Sequence, residues 1–457
     1  MIEFDDTIAA LSTSPGHAGL AVVRISGPAS LEMAQSVFVT KRPGQWPPRR
    51  MMYGEVQDGD VSIGDGLAVY MPAPHSYTRQ DVVEISVHGG RATAALLLEL
   101  LADHGVRMAE PGEFTRRAFL SGRIDLSQAE AVMDVIAARS KAGLVAAQRQ
   151  LAGALSGQIG QLRDRLMDAR ALLEVNIDFP EEEIGELDTN RIVDLLNSVR
   201  TDLSRLEQTY HAGRMVREGV SCVIVGRPNV GKSSLMNCLL DRRRAIVTET
   251  PGTTRDFLED TATIGDLPFR LTDTAGLRET DDPIEGEGVR ITRERIEQAD
   301  LVLFMIDAAG GLTDEDRAIR DSLSDVPVLL PVINKIDLAD RQTGETLATQ
   351  LPGAAVISAK ERIGIDKLQQ SMVDALQLDR VPTASDQVVL TSARHRQLIV
   401  KGVERIDDAL RGLAAELSPE LVAVEVVEAG DALGEIIGET TPDDVLNHIF
   451  DSFCIGK

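Results

Sequence analysis

Apolar and polar positions alternate in two distinct ways along the chain, and each way predicts its own kind of element. In residues 1–120, short β-rich runs such as GLAVVRIS, DGLAVYM and DVVEISVHGG are separated by glycine and proline. One clear helical stretch, ATAALLLELLADHG, lies among them. Strands bounded by turn residues, with a helix between them, predict a compact α+β domain over residues 1–120.

A helical pattern begins at about residue 121. From Leu126 to Ile177, apolar residues recur at intervals of three and four, which marks one face of a helix. We interpret this face as ordinary core packing and predict a long helical hairpin. Pro180 interrupts the pattern in an acidic turn, and helical sequence then continues to residue 215. The residues of the apolar face are Leu151, Leu155, Ile159, Leu162, Leu166, Ala169 and Leu173.

Apolar runs separated by helical spacers follow over residues 216–380. They read SCVIVG, FRLTDTAG, LVLFMIDA, VPVLLPVINKID and AAVISAK, a pattern typical of a parallel α/β domain. Helical sequence then resumes over residues 381–457. The α/β domain is therefore expected as an insertion between two parts of one helical domain, residues 121–215 and 381–457.

Composition and charge narrow the class of protein. The chain has 457 residues, more than one hydrophobic core usually holds, which agrees with several domains. Its formal net charge of -25 repels nucleic acid, so any contact with RNA must be local or come through a partner. The three cysteines show no disulfide or zinc spacing, and no apolar stretch is typical of a signal peptide or a membrane span. We therefore expect a cytoplasmic protein without membrane insertion.

The segment GRPNVGKS, residues 226–233, fits the phosphate-binding pattern G-x-x-x-x-G-K-S. It follows the strand SCVIV and precedes the helical SSLMNCLL, which is the context that the pattern requires. The glycines let backbone N–H groups approach phosphates, Lys232 supplies positive charge to the outer phosphates, and Ser233 can ligate Mg²⁺. In this context, a chance glycine-rich turn is a poor alternative.

Further motifs follow in the order that guanine-nucleotide-binding proteins share. Asp273, in FRLTDTAG, can hold Mg²⁺ through water. In NKID, Asp337 can accept hydrogen bonds from two guanine nitrogens that adenine cannot present, while Lys335 packs along the base. Each motif alone could be an accidental loop, but their order predicts a GTPase. The residues expected at the nucleotide are Asn229, Val230, Gly231, Lys232, Ser233, Ser234, Asp273, Thr274, Ala275, Gly276, Asn334, Lys335, Ile336, Asp337, Ser358, Ala359 and Lys360.

The predicted fold class is therefore multidomain. It combines an α+β N-terminal domain, an all-α helical domain and an inserted α/β P-loop GTPase domain of the Ras-like kind. One feature departs from the common signalling GTPases, which use a glutamine after DTAG to orient the attacking water. Here that position is Leu277, which cannot hydrogen-bond. Glu285, in the acidic segment ETDDPIEGEG, is the candidate replacement, although a solvated glutamate is the simpler interpretation of that residue alone.

The motifs GRPNVGKSS, PGTTRD, DTAGLR, NKID and SAK, joined to a C-terminal FCIGK, resemble the MnmE (TrmE) family of tRNA modification GTPases. The N-terminal VVRISG, VHGG and PGEFTRRAFLSGRIDLSQAEA are also similar to segments of that family, so the resemblance covers the whole chain. It implies an N-terminal domain that binds a formylated tetrahydrofolate and forms a homodimer. It also implies a helical domain into which the GTPase domain is inserted.

The resemblance further implies that K⁺ does the electrostatic work of an arginine beside the developing phosphate charge. Thr254 would join Ser233 on Mg²⁺, and Glu285 matches the water-orienting glutamate of the family, which favours a catalytic role for it. The implied K⁺ ligands are Asn229, Thr248, Thr250 and Thr253. The loop residues implied to bind GTP are Thr248, Glu249, Thr250, Pro251, Gly252, Thr253 and Thr254.

For the folate, the residues that match the family are Arg24, Glu84, Arg123 and, at the chain end, Lys457. From the sequence alone, Arg24 and Glu84 are ordinary strand residues. Arg123 stands where the family pattern allows lysine, which keeps the charge but changes the donor geometry. The resemblance also gives Cys454 a functional role, and it leaves open whether the thiol acts as nucleophile, proton donor or structural group.

The activity that the resemblance implies is modification of the wobble uridine (position 34) of certain tRNAs at carbon 5. A carboxymethylaminomethyl-type group would be added together with a flavoprotein of the MnmG (GidA) kind, in a heterotetramer. The one-carbon unit would come from 5-formyltetrahydrofolate or a related folate. FAD would be bound by the partner, which would also make most of the tRNA contacts.

Two alternatives belong to other classes. A ribosome-assembly GTPase shares GTTRD, DTAG and NKxD, but it predicts an appended basic RNA-binding module, whereas the C-terminal segment here is acidic and helical. A pure switch would use hydrolysis only to time partner binding, and Cys454 and the folate residues would then have no chemical role.

Overall fold

The structure is a computed structural model that describes residues 6–41, 46–178, 186–240, 260–273, 294–339, 341–376 and 388–457. The chain divides into two units. The first contains Met1–Ile136, Arg149–Arg200 and Lys401–Lys457, and the second contains Ala137–Gln148 and Thr201–Val400. Both units are therefore assembled from segments that are far apart in sequence.

A mixed sheet forms the centre of the N-terminal part of the first unit. Its strands are β1 (Ile8–Leu11), β2 (Leu20–Ser26), β3 (Phe38–Thr40), β4 (Met52–Asp58), β5 (Val61–Met71), β6 (Val82–His88) and β7 (Arg107–Met108). Within the described residues their spatial order is β3-β4-β5-β6-β2-β1-β7. Neighbouring strands are antiparallel except β1 and β7, which are parallel. The β-rich runs of the sequence are strands as predicted.

Three helices accompany this sheet: α1 (Ser30–Val37), α2 (Arg91–Asp103) and α3 (Glu113–Leu120). Leu97 and Leu101 of α2 are buried in one core with Val23, Ile25 and Ile85 of the sheet. The α+β prediction is confirmed, including the helix over ATAALLLELLADHG. The pattern did not reveal α1 and α3, because each has eight residues and so shows too few helical repeats.

The remaining helices have these bounds: α4 (Leu126–Ala137), α5 (Lys141–Leu151), α6 (Ala154–Asp178), α7 (Glu186–Gln208), α8 (Tyr210–Glu218), α9 (Lys232–Leu240), α10 (Asp314–Asp321), α11 (Arg341–Gln350), α12 (Ile365–Ala375), α13 (Ala393–Ala414), α14 (Pro419–Ile437) and α15 (Asp443–Asp451). None of the helices among the described residues is long and apolar enough to cross a bilayer.

The predicted face of apolar residues is buried along α6, which packs against α14, except for its first member, Leu151, which ends α5 and is half-buried. Leu155, Ile159, Leu162 and Leu166 are each at most 2% exposed. The predicted two-arm hairpin from 126 to 177 is wrong, because the segment forms three helices, α4, α5 and α6. Ser140 Oγ accepts the N–H of Gly143 at 3.0 Å, a side-chain cap that starts α5 as a separate helix.

The second unit contains a sheet built from β8 (Val220–Val225), β9 (Asp260–Ile264), β10 (Leu267–Asp273), β11 (Leu301–Asp307), β12 (Leu329–Asn334) and β13 (Ala355–Val356). In the described part of the chain their order is β13-β12-β11-β8-β10-β9. All neighbouring pairs are parallel except β9 and β10. The predicted α/β domain is confirmed, and β9, in which Asp260, Thr261 and Thr263 are exposed, is an antiparallel addition to it.

The parallel strands place the sequence motifs at one edge of this sheet. GRPNVGKS follows β8, Asp273 ends β10, Asn334 ends β12 and SAK follows β13. The carboxyl ends of parallel strands form the edge at which ligands of such sheets bind. The multidomain fold class is therefore confirmed, while the four domain boundaries proposed from the sequence stay predictions.

Candidate functional site

The phosphate-binding pattern forms a loop between β8 and α9, and α9 begins at Lys232, directly after it. Gly231 has a φ angle of 104°, and a Cβ atom on it would lie 2.3 Å from Nδ2 of Asn334. A larger residue would therefore collide with the amide that connects two of the motifs. Glycine is required here because of both the backbone conformation and the close approach.

Lys232 lies within the curve of the loop and is 7% exposed. Its Nζ donates hydrogen bonds to the carbonyl oxygens of Gly226 and Arg227, both at 2.9 Å. Backbone carbonyls thus hold the ammonium group at the loop. A positive charge in this position can bind the outer phosphates of a nucleotide.

Asn229 stands on the outer part of the same loop, where it is exposed and has a φ angle of 63°. Asparagine adopts this left-handed conformation more readily than most residues. Val230, directly after it, is 2% exposed and anchors the loop in the core. The exposed amide of Asn229 can therefore offer an oxygen to a cation while its neighbour is fixed.

Ser233 and Asp273, both predicted at magnesium, lie together. Ser233 Oγ donates a hydrogen bond to Oδ2 of Asp273 at 2.8 Å. Mg²⁺ prefers such oxygen ligands and usually binds through one or two protein groups plus phosphates. A hydroxyl and a carboxylate side by side therefore fit a magnesium ion whose other ligands are phosphates and waters. Ser234 follows, exposed, in the first turn of α9.

Asn334 joins three motifs. It is 2% exposed, and its Nδ2 donates to the carbonyl oxygen of Val230 at 2.8 Å. Its Oδ1 accepts the N–H of Ala359, within SAK, at 2.9 Å. One buried amide therefore fixes the phosphate loop and the SAK loop relative to the NKID segment.

Lys335 and Asp337 extend from this fixed point. Lys335 has a φ angle of 63°, and its Nζ forms an ion pair with Oδ2 of Asp307 at 2.7 Å. Asp337 is exposed at the edge of the sheet, so its carboxylate can meet a base. The backbone N–H of Ile336 donates to the carbonyl oxygen of Ile357 at 3.2 Å, which ties NKID to the end of β13.

The SAK loop is closed by its own hydrogen bonds. Ser358 and Ile363 exchange backbone hydrogen bonds at 3.0 Å, and Ser358 Oγ accepts the N–H of Glu361 at 3.2 Å. Ser358 and Ala359 are buried while Lys360 is exposed. The described members of all four motifs are thus held at one edge of the sheet.

Several predicted residues of this site lie outside the described residues. They are Thr248, Glu249, Thr250, Pro251, Gly252, Thr253, Thr254, Thr274, Ala275, Gly276 and Glu285.

The residues predicted at the folate lie in the first unit. Arg24 of β2 and Glu84 of β6 are directly opposite each other in the antiparallel pair. The Nε and Nη2 atoms of Arg24 each lie 2.9 Å from Oε1 of Glu84. Both side chains are partly buried, at 14% and 27% exposure, so the pair is an ordered feature of the sheet surface.

Tyr77 connects this pair with Arg123. Its ring lies under the Arg24 guanidinium, 5.1 Å from the ring centre, and under the Arg123 guanidinium, at 4.7 Å. Arg123 Nη1 also donates to the carbonyl oxygen of Tyr77 at 3.0 Å. The Tyr77 hydroxyl is 3.0 Å from Thr115 Oγ1 of α3. The aromatic ring thus holds two cations in place, since each is attracted to its face.

The C-terminal tail binds next to these residues. A main-chain oxygen of Lys457 accepts the N–H of Phe114, at 3.2 Å, and the Ser12 hydroxyl donates to the carbonyl oxygen of Gly456, at 3.1 Å. The Phe114 ring in turn lies 5.5 Å from the Arg24 guanidinium. Cys454, Lys457 and Arg24 are therefore brought into one region, although they are far apart in sequence.

Burial lowers the pKa of Lys457, and the nearby Arg24 lowers it further. Glu84 and Cys454 act in the opposite direction and favour the charged lysine. Lys457 therefore lies near groups of both signs, and an anionic ligand would relieve the repulsion between Lys457 and Arg24.

Two residues of this region were missed from the sequence, Tyr77 and Phe114. Aromatic residues make up only 3% of the chain, so a tyrosine within the loop PAPHSYT was an available signal. Phe114 is fully buried and reads as ordinary core, so no signal in the sequence marks it.

Comparison with known proteins finds two family models that match this chain. Residues 7–123 match the family described as GTP-binding protein TrmE N-terminus, and residues 126–454 match the MnmE helical domain. The tRNA modification GTPase MnmE of Natranaerobius thermophilus is 42% identical and aligns with 99% of this chain and 100% of its own length. That of Geobacter sulfurreducens is 43% identical over 99% of both chains.

A solved structure of Era from Aquifex aeolicus, bound to GDP and aluminium fluoride, is 27% identical to this chain. The match covers 41% of this chain and 66% of Era, with a TM-score of 0.28. At that score the likeness supports no conclusion about function.

Proposed function

This chain belongs to the MnmE family of tRNA modification GTPases, and from that premise we propose that potassium-dependent GTP hydrolysis serves to modify the wobble uridine of certain tRNAs. Hydrolysis of GTP in tRNA modification is the activity of the family. Beyond this family activity, the proposal states that hydrolysis depends on K⁺, that a flavoprotein partner takes part and that a folate donates the one-carbon unit.

The binding of the C-terminal tail beside the Arg24–Glu84 pair is the observation that carries this proposal. Phe114 N–H and Ser12 Oγ hold the backbone of Lys457 and Gly456, which keeps Cys454 close to the cations of the first unit. A pure switch needs no such arrangement. A thiol, a carboxylate and several cations in one region are instead suited to binding and transforming an anionic cofactor.

In the proposed GTPase site, the chain binds and orients the nucleotide. Lys232 binds the outer phosphates, Ser233 and Asp273 hold Mg²⁺, and Asp337 accepts hydrogen bonds from guanine. Mg²⁺ and K⁺, when bound, supply positive charge next to the phosphate on which negative charge develops. Glu285 orients the attacking water. The common signalling GTPases use a glutamine for this step, at the position that Leu277 occupies here.

The proposed K⁺ site takes the Asn229 amide oxygen, and Thr254 joins Ser233 at Mg²⁺. The left-handed conformation and exposure of Asn229 support its role, because they leave the amide accessible on the outer side of the loop. The other proposed K⁺ ligands are Thr248, Thr250 and Thr253.

The proposed folate site uses Arg24, Arg123 and Lys457 as hydrogen-bond donors to oxygens of the ligand and Glu84 as an acceptor for its N–H groups. This set fits a folate, because a folate carries both oxygen acceptors and N–H donors. We propose 5-formyltetrahydrofolate, or a related formylated folate, as the source of the one-carbon unit. Cys454 is proposed as a functional thiol at the same site.

The proposed partners are a second copy of the chain, in a homodimer, and a flavoprotein of the MnmG (GidA) kind, in a heterotetramer. FAD would be bound by that partner. The net charge of -25 supports a complex in which the partner makes most of the contacts with tRNA. The product would be a carboxymethylaminomethyl-type group at carbon 5 of the uridine, formed in the cytoplasm.

Exchange of potassium for sodium tests the cation directly. We expect GTP hydrolysis by the purified protein to slow more than about tenfold in sodium at constant ionic strength, since the smaller ion does not fit oxygens placed for potassium. Steady-state phosphate release in the two salts measures this effect. Equal rates would contradict potassium dependence and would remove Asn229 from the proposed site.

A further inference from the structure

Arg227, the second residue of the phosphate loop, directs its guanidinium into a buried ion pair. Its Nε donates to Oδ1 of Asp316, in α10, at 2.7 Å. The Asp316 side chain is 0% exposed and that of Arg227 is 21% exposed. Solvent and salt screen such a pair little, so it holds its two partners firmly in place.

The start of α10 fixes the other oxygen of Asp316. Oδ2 accepts the backbone N–H of Thr313 at 3.0 Å and the Thr313 hydroxyl at 2.7 Å. The N–H of Asp316 returns a hydrogen bond to Thr313 Oγ1 at 3.3 Å, which completes a capping box. Both carboxylate oxygens therefore have partners, and the side chain has one defined orientation.

The segment from the end of β11 to α10 also contacts the NKID motif, at the end opposite to Asp316. Asp307, the last residue of β11, pairs with Lys335 at 2.7 Å, and the N–H of Ala308 donates to the carbonyl oxygen of Asn334 at 2.8 Å. Residues 307–316 thus connect the NKID segment with the phosphate loop. The pKa of Arg227 is raised, first by its hydrogen bond to Asp316, and Glu315 and Asp307 add to the effect.

We propose that Asp316 and Arg227 are positioning residues for GTP. The carbonyl oxygen of Arg227 is one of the two that hold Nζ of Lys232, so an ion pair that fixes Arg227 also fixes the anchor of the lysine. Neither side chain needs to touch the nucleotide. The inference rests on the proposed function of the loop as the phosphate site, and it adds the residues that set the geometry of that loop.

The substitution Asp316→Asn tests the proposal. It keeps an oxygen for the capping box but removes the negative charge that faces Arg227. We expect the Kd for a fluorescent GDP analogue and the KM for GTP to rise about fivefold or more, while kcat changes less than about twofold, because the pair acts on binding.

Asp314→Asn in the same helix is the matched control. It removes an exposed ion pair with Arg317, in which the side chains are 97% and 52% exposed, and it should change neither constant.

Arg227→Lys provides a second test from the more exposed side of the buried pair. Because it keeps the charge but not the planar donor, its KM should lie between those of the wild type and of Arg227→Met.

The outcomes separate the possible roles. If Asp316→Asn binds the GDP analogue as tightly as Asp314→Asn and only melts at a lower temperature, the pair merely stabilises α10 and the proposal is overturned. Equal KM values for Arg227→Met and wild type would overturn it as well. Failure of the wild type to bind the analogue would instead contradict the function proposed for the loop itself.

Discussion

Asn229 and Lys335 both have a φ angle of 63°, and both belong to motifs of the proposed nucleotide site. For lysine this conformation is uncommon and costs free energy, so neighbouring contacts must maintain it. The buried Asn334 directly before Lys335 provides them through its bonds to Val230 and Ala359. Backbone strain at this point is consistent with a segment shaped to present Asp337 to a base.

Tyr77 gives a prediction at the scale of one side chain. Tyr77→Leu removes the ring that lies under both Arg24 and Arg123, so the two guanidinium groups lose their common support. We expect the Kd for 5-formyltetrahydrofolate, measured by isothermal titration calorimetry, to rise about tenfold. Tyr77→Phe is the control, because it keeps the ring and loses only the contact with Thr115. If the leucine variant binds folate like the phenylalanine variant, the ring does not position the cations.

At the scale of elements, the sequence was most informative where a motif ends a buried strand. Strands β8, β10 and β12 could be predicted because their apolar runs stop at Gly226, Asp273 and Asn334. The break between α4 and α5 could not, since no glycine or proline marks it in the sequence and the Ser140 cap starts the second helix. Local patterns report burial well, but they report side-chain capping poorly.

The proposed folate-binding residues show more clearly that local sequence patterns do not reveal contacts between distant segments. Arg24 and Glu84 face each other across β2 and β6, and no local periodicity reveals a pair separated by so much sequence. They were predicted only from the resemblance to a family. Tyr77 was not predicted at all, because its role depends on the approach of Arg123 from a different segment.

The C-terminal tail gives a prediction at the scale of one element. Gly456 has a φ angle of 94°, and a Cβ atom on it would lie 2.2 Å from the carbonyl oxygen of Leu11. Gly456→Ala should therefore displace the tail from β1 and weaken folate binding by about tenfold or more, while GTP hydrolysis stays unchanged.

Gly157→Ala is the control for this substitution, because a Cβ atom at that position of α6 meets nothing within 4 Å. Its folate affinity, measured by the same calorimetry, should equal that of the wild type. An unchanged affinity in Gly456→Ala would show that the docked tail does not contribute to the site.

At the scale of the whole molecule, the described nucleotide-site residues belong to the second unit and the folate residues to the first. The chain therefore combines a GTPase unit with a separate unit in which anionic cofactor chemistry is proposed. Membership of the MnmE family applies to both, since the relatives align with 99% of the chain. The net charge of -25 disfavours binding of tRNA to this chain alone. The proposed flavoprotein partner would therefore supply most of the tRNA-binding surface.

The central claim is that this chain takes part in modification of the wobble uridine. Mass spectrometry of nucleosides from the tRNA of cells that lack the protein tests it most directly. We predict that carboxymethylaminomethyl-type uridines disappear and that they return when the wild-type chain is supplied. Unchanged wobble nucleosides in the cells without the protein would contradict the claim.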